Sequence, residues 1–150
     1  YSIPYFMSGH LLLVQKDSPI TKYQDLAGRK VSTTQGSTGD IVIGKLVPKA
    51  ERVKFQHNSE SLKALKDRRT EAFVQDDMLL VDLQKKNPEL KIVGWPPFEP
   101  APYGLGVRKG DAEWLGFVDK TLTKMKNSGE YQKLWDSWFG ESKDFLLKLK

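Results

Sequence analysis

Within the first hundred residues, short apolar runs give way repeatedly to segments with helical spacing. That alternation restricts the chain to an α/β layer, with parallel strands joined by crossover helices. Residues 11–14, Leu-Leu-Leu-Val, read as a buried strand closed by the turn Lys16-Asp17-Ser18-Pro19. Residues 22–26 fit a single helical turn stopped by Gly28, and residues 30–34 a second strand. A helix over 40–46 follows, ended by Pro48. Next come a strand at 52–55, a helix at 60–66 behind the cap-rich Asn58-Ser59-Glu60-Ser61, a strand at 71–74 and a helix at 78–86. Residues 90–93 read as a strand ended by Gly94-Trp95-Pro96-Pro97. Beyond it, 103–107 reads as a further strand, and a helix opening at Gly110-Asp111 carries Trp114, Phe117, Val118, Leu122 and Met125 on one face. A shorter helix carries Tyr131, Leu134, Trp135 and Trp138, and the last ten residues fit a small amphipathic helix.

Composition narrows the function classes. Of 150 residues, 39% are hydrophobic and 29% charged, as in a globular protein, and no run approaches the ~20 apolar residues that span a bilayer. The absence of cysteine excludes disulfide scaffolds, thiolate metal sites and thiol catalysis. The net charge of +5 is carried by dispersed lysines; with no basic-aromatic strip, it reads as a solvated surface and not as a nucleic-acid interface. Tyr1-Ser2-Ile3-Pro4 has no signal-peptide character, and a chain opening without Met reads as a mature product or a fragment.

Ligands of such sheets gather beyond the carboxyl ends of strands. Two strand-to-helix junctions therefore draw attention, Gln35-Gly36-Ser37-Thr38-Gly39-Asp40 and Gln75-Asp76-Asp77. The first lacks the lysine of a phosphate loop. Either Thr38 or Asp40 merely caps a helix, or the free N–H groups and hydroxyls hold an anion. Neighbouring aspartates commonly divide their work, one facing a ligand cation and the other capping the next helix. Facing each other across one sheet edge, the two junctions would complement a zwitterion, N–H groups for its carboxylate and Asp76 for its ammonium. His10 and His57 belong to no metal-spaced cluster and read as surface or packing residues. No Gly-x-Ser-x-Gly elbow is present. Trp114, Phe117, Trp135 and Trp138 have core spacing and read as packing.

The order YSIPYFMSGHLLLV, SPITKYQDLAGRKVSTTQGSTG, SLKALKDRRTEAFVQDD, YGLGVRKGD and NSGEYQKLWDSWFG resembles the polar amino-acid-binding family of bacterial extracytoplasmic solute-binding proteins, over residues 1 to about 140. The resemblance implies a fold of the periplasmic-binding-protein type II kind, a two-lobed trap that closes on an amino acid. It implies that Gly36, Ser37 and Thr38 hold the α-carboxylate, that Asp76 holds the α-ammonium, and that Gln75 sits where side-chain selectivity is set. Asn58 or His57 would reach the same pocket. The resemblance also implies that this chain lacks most of the first lobe. Residues 1–12 would then be the end of lobe one and the first hinge strand, 13–102 lobe two, and 103–150 the return strand and C-terminal helices that pack on lobe one. The aromatic helices would meet that missing lobe or a second chain. The implied partners are a polar amino acid and the membrane subunits of an ABC importer, outside the cytoplasm, with no cofactor. A sensor ectodomain on the same trap is the alternative, and a dehydratase-like enzyme a more distant one.

Overall fold

Strand β1, Phe6–Gln15, holds Leu11, Leu12, Leu13 and Val14 with no exposed surface at all. An unbroken apolar run of this kind requires a sheet covered on both faces. Leu12 and Val14 join Val31, Ile43 and Val74 on one face, while Leu11 and Leu13 join Leu65, Phe73 and Leu80 on the other. The computed structural model describes residues 1–140, and the helix expected over 141–150 lies outside the described residues.

The remaining strands are β2, Lys30–Thr34, β3, Glu51–Phe55, β4, Ala72–Asp76, and β5, Leu90–Tyr103. Helix α1 spans Thr38–Leu46, α2 Asn58–Lys66 and α3 Asp77–Lys86, with one 3-10 turn at Tyr23–Leu26. The sheet order is β3-β2-β4-β1-β5. β2 runs parallel to β3 and to β4, as the alternation predicts. β1 departs from the expectation: it is antiparallel to β4, with His10 opposite Asp76 and Val14 opposite Ala72. The sheet is therefore mixed. Parallel β2, β3 and β4 send the N-termini of α1, α2 and α3 to one edge, and antiparallel β1 brings its own start to that edge.

A second departure concerns residues 94–97. The strand does not stop at Gly94-Trp95-Pro96-Pro97 but continues to Tyr103. Proline is tolerated because β5 ends the sheet order and an edge strand need not donate along its outer side. Gly9 of β1 lies against Pro97 so closely that a Cβ there would meet the proline Cβ at 2.6 Å. The strand expected over 103–107 is likewise confined to Tyr103 at the end of β5.

The chain divides into two compact units. One is Gly9–Pro100, the sheet and its three helices. The other joins Tyr1–Ser8 to the chain from Ala101 on. In it, α4, Ala112–Ser128, and α5, Glu130–Phe139, are separated by Gly129 at φ +80°. The N-terminal stretch is laced to these helices: Ile3 N–H donates to Asp119 Oδ1 at 2.8 Å, and the Tyr131 hydroxyl donates to the Tyr5 carbonyl. Trp135 is buried and stacked on Phe6, as its spacing predicts. Trp114, Phe117 and Trp138 correct that expectation, since they are 53%, 59% and 76% exposed. The first two stack on each other with ring centroids 5.2 Å apart.

Candidate functional site

Gly36, at φ +72°, turns the chain out of β2 in a conformation that side-chain-bearing residues adopt only with strain. Ser37 then caps α1, its Oγ accepting from the Asp40 N–H at 3.2 Å. Asp40 reaches back to accept from the Gly36 N–H at 3.3 Å, which ties the loop to the first turn. Capping thus falls to Ser37, while Asp40 holds the residue before it. Asp40 is nearly buried, and Arg52 and Lys54 of β3 reach it at 2.8 and 3.2 Å. Burial pushes its carboxyl up, but the Lys54 hydrogen bond, the Gly36 N–H and the charges of Lys54 and Arg52 outweigh that and hold it below the usual aspartate range. The Arg52 guanidinium crosses α1 at Gly44, where a Cβ would sit 2.6 Å from Nη1. With the loop pinned from behind, the N–H groups of the first turn at Thr38 and Gly39 have no acceptor within the helix. They form the positive end of the α1 dipole.

At the end of β4, Asp76 stands at the N-cap position of α3 and makes no side-chain cap bond, and its side chain is 35% exposed. Asp77, fully buried, accepts from the Met78 N–H at 2.8 Å. Asp76 is thus partly exposed, and Asp77 lies buried in the first turn.

His10 joins the two junctions. Its Nε2 lies 3.2 Å from Thr38 Oγ1 and 3.5 Å from Asp76 Oδ1, and the residue is 4% exposed. Of the two readings of His10, surface or packing, its burial favours the second, and the structure adds two polar neighbours to it. The sequence held one signal for it, a single titratable group inside a fully buried apolar strand. Its opposition to Asp76 depends on strand register, which sequence alone does not supply. His57 is the exposed N-cap residue of α2, closed by Glu60, which accepts from the His57 N–H at 3.1 Å.

Gln75 and Asn58 also meet. Gln75 Nε2 donates to Asn58 Oδ1 at 2.8 Å, and the Thr34 hydroxyl donates to the same oxygen. Gln75 Oε1 accepts from the Asp76 N–H at 3.1 Å. This chain of bonds fixes the backbone from which Asp76 projects. Gly36, Ser37, Thr38, Asn58, Gln75 and Asp76 therefore all belong to one sheet edge. A cleft of about 270 Å³ at the other ends of the strands, between Asp17, Arg68 and Glu71, contains none of them. Among the described residues no cluster of His, Asp and Glu is placed to hold a metal ion, and no helix is long and apolar enough to cross a membrane.

Comparison with known proteins bears on the family and the fold. The model of the bacterial extracellular solute-binding proteins, family 3, matches residues 1–141. The ABC transporter glutamine-binding protein of Bacillus subtilis is 32% identical over 94% of this chain and 52% of its own length. An L-glutamate/L-aspartate-binding protein of Pseudomonas aeruginosa is 34% identical over 93% and 48%. The chain thus spans about half the length of the curated relatives it matches. Among solved structures, an ancestral arginine-binding protein bound to glutamine superposes with a TM-score of 0.80 at 37% identity, over 93% of this chain and 63% of that one. An ancestral amino acid-binding protein described as a precursor of cyclohexadienyl dehydratase superposes at 0.77 with 32% identity, over 92% and 60%.

Proposed function

The chain belongs to the bacterial extracellular solute-binding proteins, family 3, and from that premise we propose that it binds a polar amino acid outside the cytoplasm for delivery to the membrane subunits of an ABC importer. The α-carboxylate is received by the first turn of α1, from the N–H groups beyond Gly36 and the hydroxyls of Ser37 and Thr38. Asp76 receives the α-ammonium. Gln75 and Asn58 complete the site on the side where the ligand side chain is selected.

One observation carries this reading: Thr38 Oγ1 and Asp76 Oδ1 both lie within reach of a single imidazole nitrogen, at 3.2 and 3.5 Å. A helix N-terminus and a carboxylate held that close, with opposite polarity, match the two charged ends of an α-amino acid. The binding specificities in the names of the relatives, glutamine and glutamate/aspartate, support the same ligand class.

The unit Gly9–Pro100 is in this reading lobe two of a trap. The exposed Trp114 and Phe117 face is then the seat of lobe one or of a second chain. One lobe makes only part of the ligand contact, so the chain alone binds weakly, with dissociation constants of about 1 mM, or about −4 kcal/mol. Calorimetric titration with L-glutamine, L-glutamate, L-arginine and L-histidine tests the proposal, on the chain alone and on the chain joined to the N-terminal half of the Bacillus subtilis relative. The joined protein is expected to bind at least one of them far more tightly. Failure of both forms to take up any of the four would sink the reading.

A further inference from the structure

We infer that His10 is a positioning residue for the ligand carboxylate: its Nε2–H donates to the Thr38 hydroxyl oxygen and leaves the Thr38 proton to point at the ligand. The inference rests on the reading of the site as an amino-acid cradle and assigns it a residue outside the cradle itself.

A neutral imidazole carries its proton on either Nδ1 or Nε2. Nδ1 of His10 is buried and meets no hydrogen-bond partner among the described residues, so it is unsatisfied in either tautomer. The choice therefore falls to the neighbours of Nε2. One is the Asp76 carboxylate at 3.5 Å, which when ionised can only accept. A lone pair on Nε2 would face that negative charge, whereas an N–H there is attracted to it. Thr38 Oγ1, at 3.2 Å, is the nearer group and the better placed acceptor. A hydroxyl has one proton and two lone pairs, so a threonine that accepts from His10 keeps its proton for another partner. Thr38 is the first residue of α1, so that proton joins the N–H groups already directed at the carboxylate.

The ring is held in this attitude. Phe98 packs beside it with centroids 5.8 Å apart, and α1 approaches at Gly39, where a Cβ would sit 3.5 Å from His10 Cδ2. The strand register fixes the backbone, with His10 and Asp76 as direct partners. His10 thus sets the polarity of one ligand-binding hydroxyl while its N–H also faces the carboxylate assigned to the ammonium.

Two measurements test this. The chain has 2 histidines, so a His57→Gln variant leaves His10 alone in long-range proton–nitrogen correlation spectra. The Nε2–H pattern is expected without any ligand, and an Nδ1–H pattern would overturn the inference. The second is a double-mutant cycle with L-glutamine, L-glutamate and L-arginine as probes, on the protein joined to the N-terminal half of the relative. His10→Leu should weaken binding about tenfold when Thr38 is present and hardly at all in a Thr38→Val background. His10→Gln, which keeps an N–H donor, should restore most of the loss. Equal losses in both backgrounds would overturn the inference and leave the cradle standing. No uptake of any probe by the unmutated protein would overturn the cradle and the inference together.

Discussion

Arg52 Nη1 lies 2.8 Å from Asp40 Oδ1 and 2.9 Å from the Asp40 carbonyl oxygen, so β3 holds the first turn of α1 by side chain and backbone together. The loop that presents Ser37 and Thr38 is consequently braced from the side away from the proposed ligand. Replacing Asp40 with Asn removes the charge that Arg52 and Lys54 share and one of the two oxygens that serve Arg52 and the Gly36 N–H, at a cost of about 2 kcal/mol. Arg52→Met should cost less, about 1 kcal/mol, because the guanidinium is partly solvated already. Urea unfolding of both variants measures the difference, and equal, negligible losses would contradict the bracing role.

The same carboxyl predicts an acid limb. Asp40 is held below the ordinary aspartate value of 3.8 in the folded chain. Its contribution is fully present above that value and is lost as pH falls through the lower folded one, because in that window the unfolded chain binds more protons. Stability measured against pH below 4 should therefore fall less steeply in Asp40→Asn than in the unmutated chain, about as the loss of one titrating group requires. Exposed Asp17 and Asp67 are shifted the same way by hydrogen bonds to Arg68 and Lys63, but added salt should weaken charge-pair contributions at such surface sites much more than that of Asp40.

Asp76→Asn keeps the shape of the side chain and removes its charge. Its side chain is 35% exposed and the amide keeps one oxygen for its neighbours, so folding stability should change by no more than about 1 kcal/mol. Amino-acid binding should weaken by about thirtyfold or more, since the ligand ammonium loses its charged partner. Calorimetry on the joined protein checks the binding arm, and thermal unfolding the stability arm.

Gly36 separates backbone strain from crowding, because a Cβ there would meet nothing within 4 Å. Gly36→Ala should cost about 1 kcal/mol through its positive φ alone, and Gly36→Asn less, because asparagine tolerates that conformation. Equal costs for the two would mean that the loop had changed its path.

Trp135 and the Trp114/Phe117 pair should behave oppositely. Trp135→Ala empties a buried, stacked position and should cost about 3–5 kcal/mol. Trp114→Gln with Phe117→Gln should leave the stability of the chain within about 1 kcal/mol, because those rings are exposed. Chemical denaturation of each variant makes the comparison.

Most element positions were legible in the sequence because local signals agree there. Residues 30–34 read as a strand and are β2, and the cap-rich Asn58-Ser59-Glu60-Ser61 opens α2. What could not be read depended on pairing. The run 11–14 is equally apolar whether β1 is parallel or antiparallel, and only its register against β4 puts His10 on Asp76. Pro96 and Pro97 read as a stop because proline cannot sit in a central strand, and the edge position of β5 removes that objection. Trp114 and Trp135 share a core-like spacing with their neighbours, yet only Trp135 finds Phe6. In the proposed site, the placement of Gly36, Ser37, Thr38 and Asp76 at one sheet edge follows from strand-end logic, whereas the imidazole beside Thr38 and Asp76 is a long-range contact.

The most direct test of the cradle is a nitrogen–proton correlation titration of this chain with L-glutamine, L-glutamate, L-arginine and L-histidine, raised to millimolar concentrations and above. The account predicts that the amides of Thr38, Gly39, Asp76 and Asp77 shift together and saturably with at least one of them. Shifts confined to other residues, or none with any of the four, would contradict it.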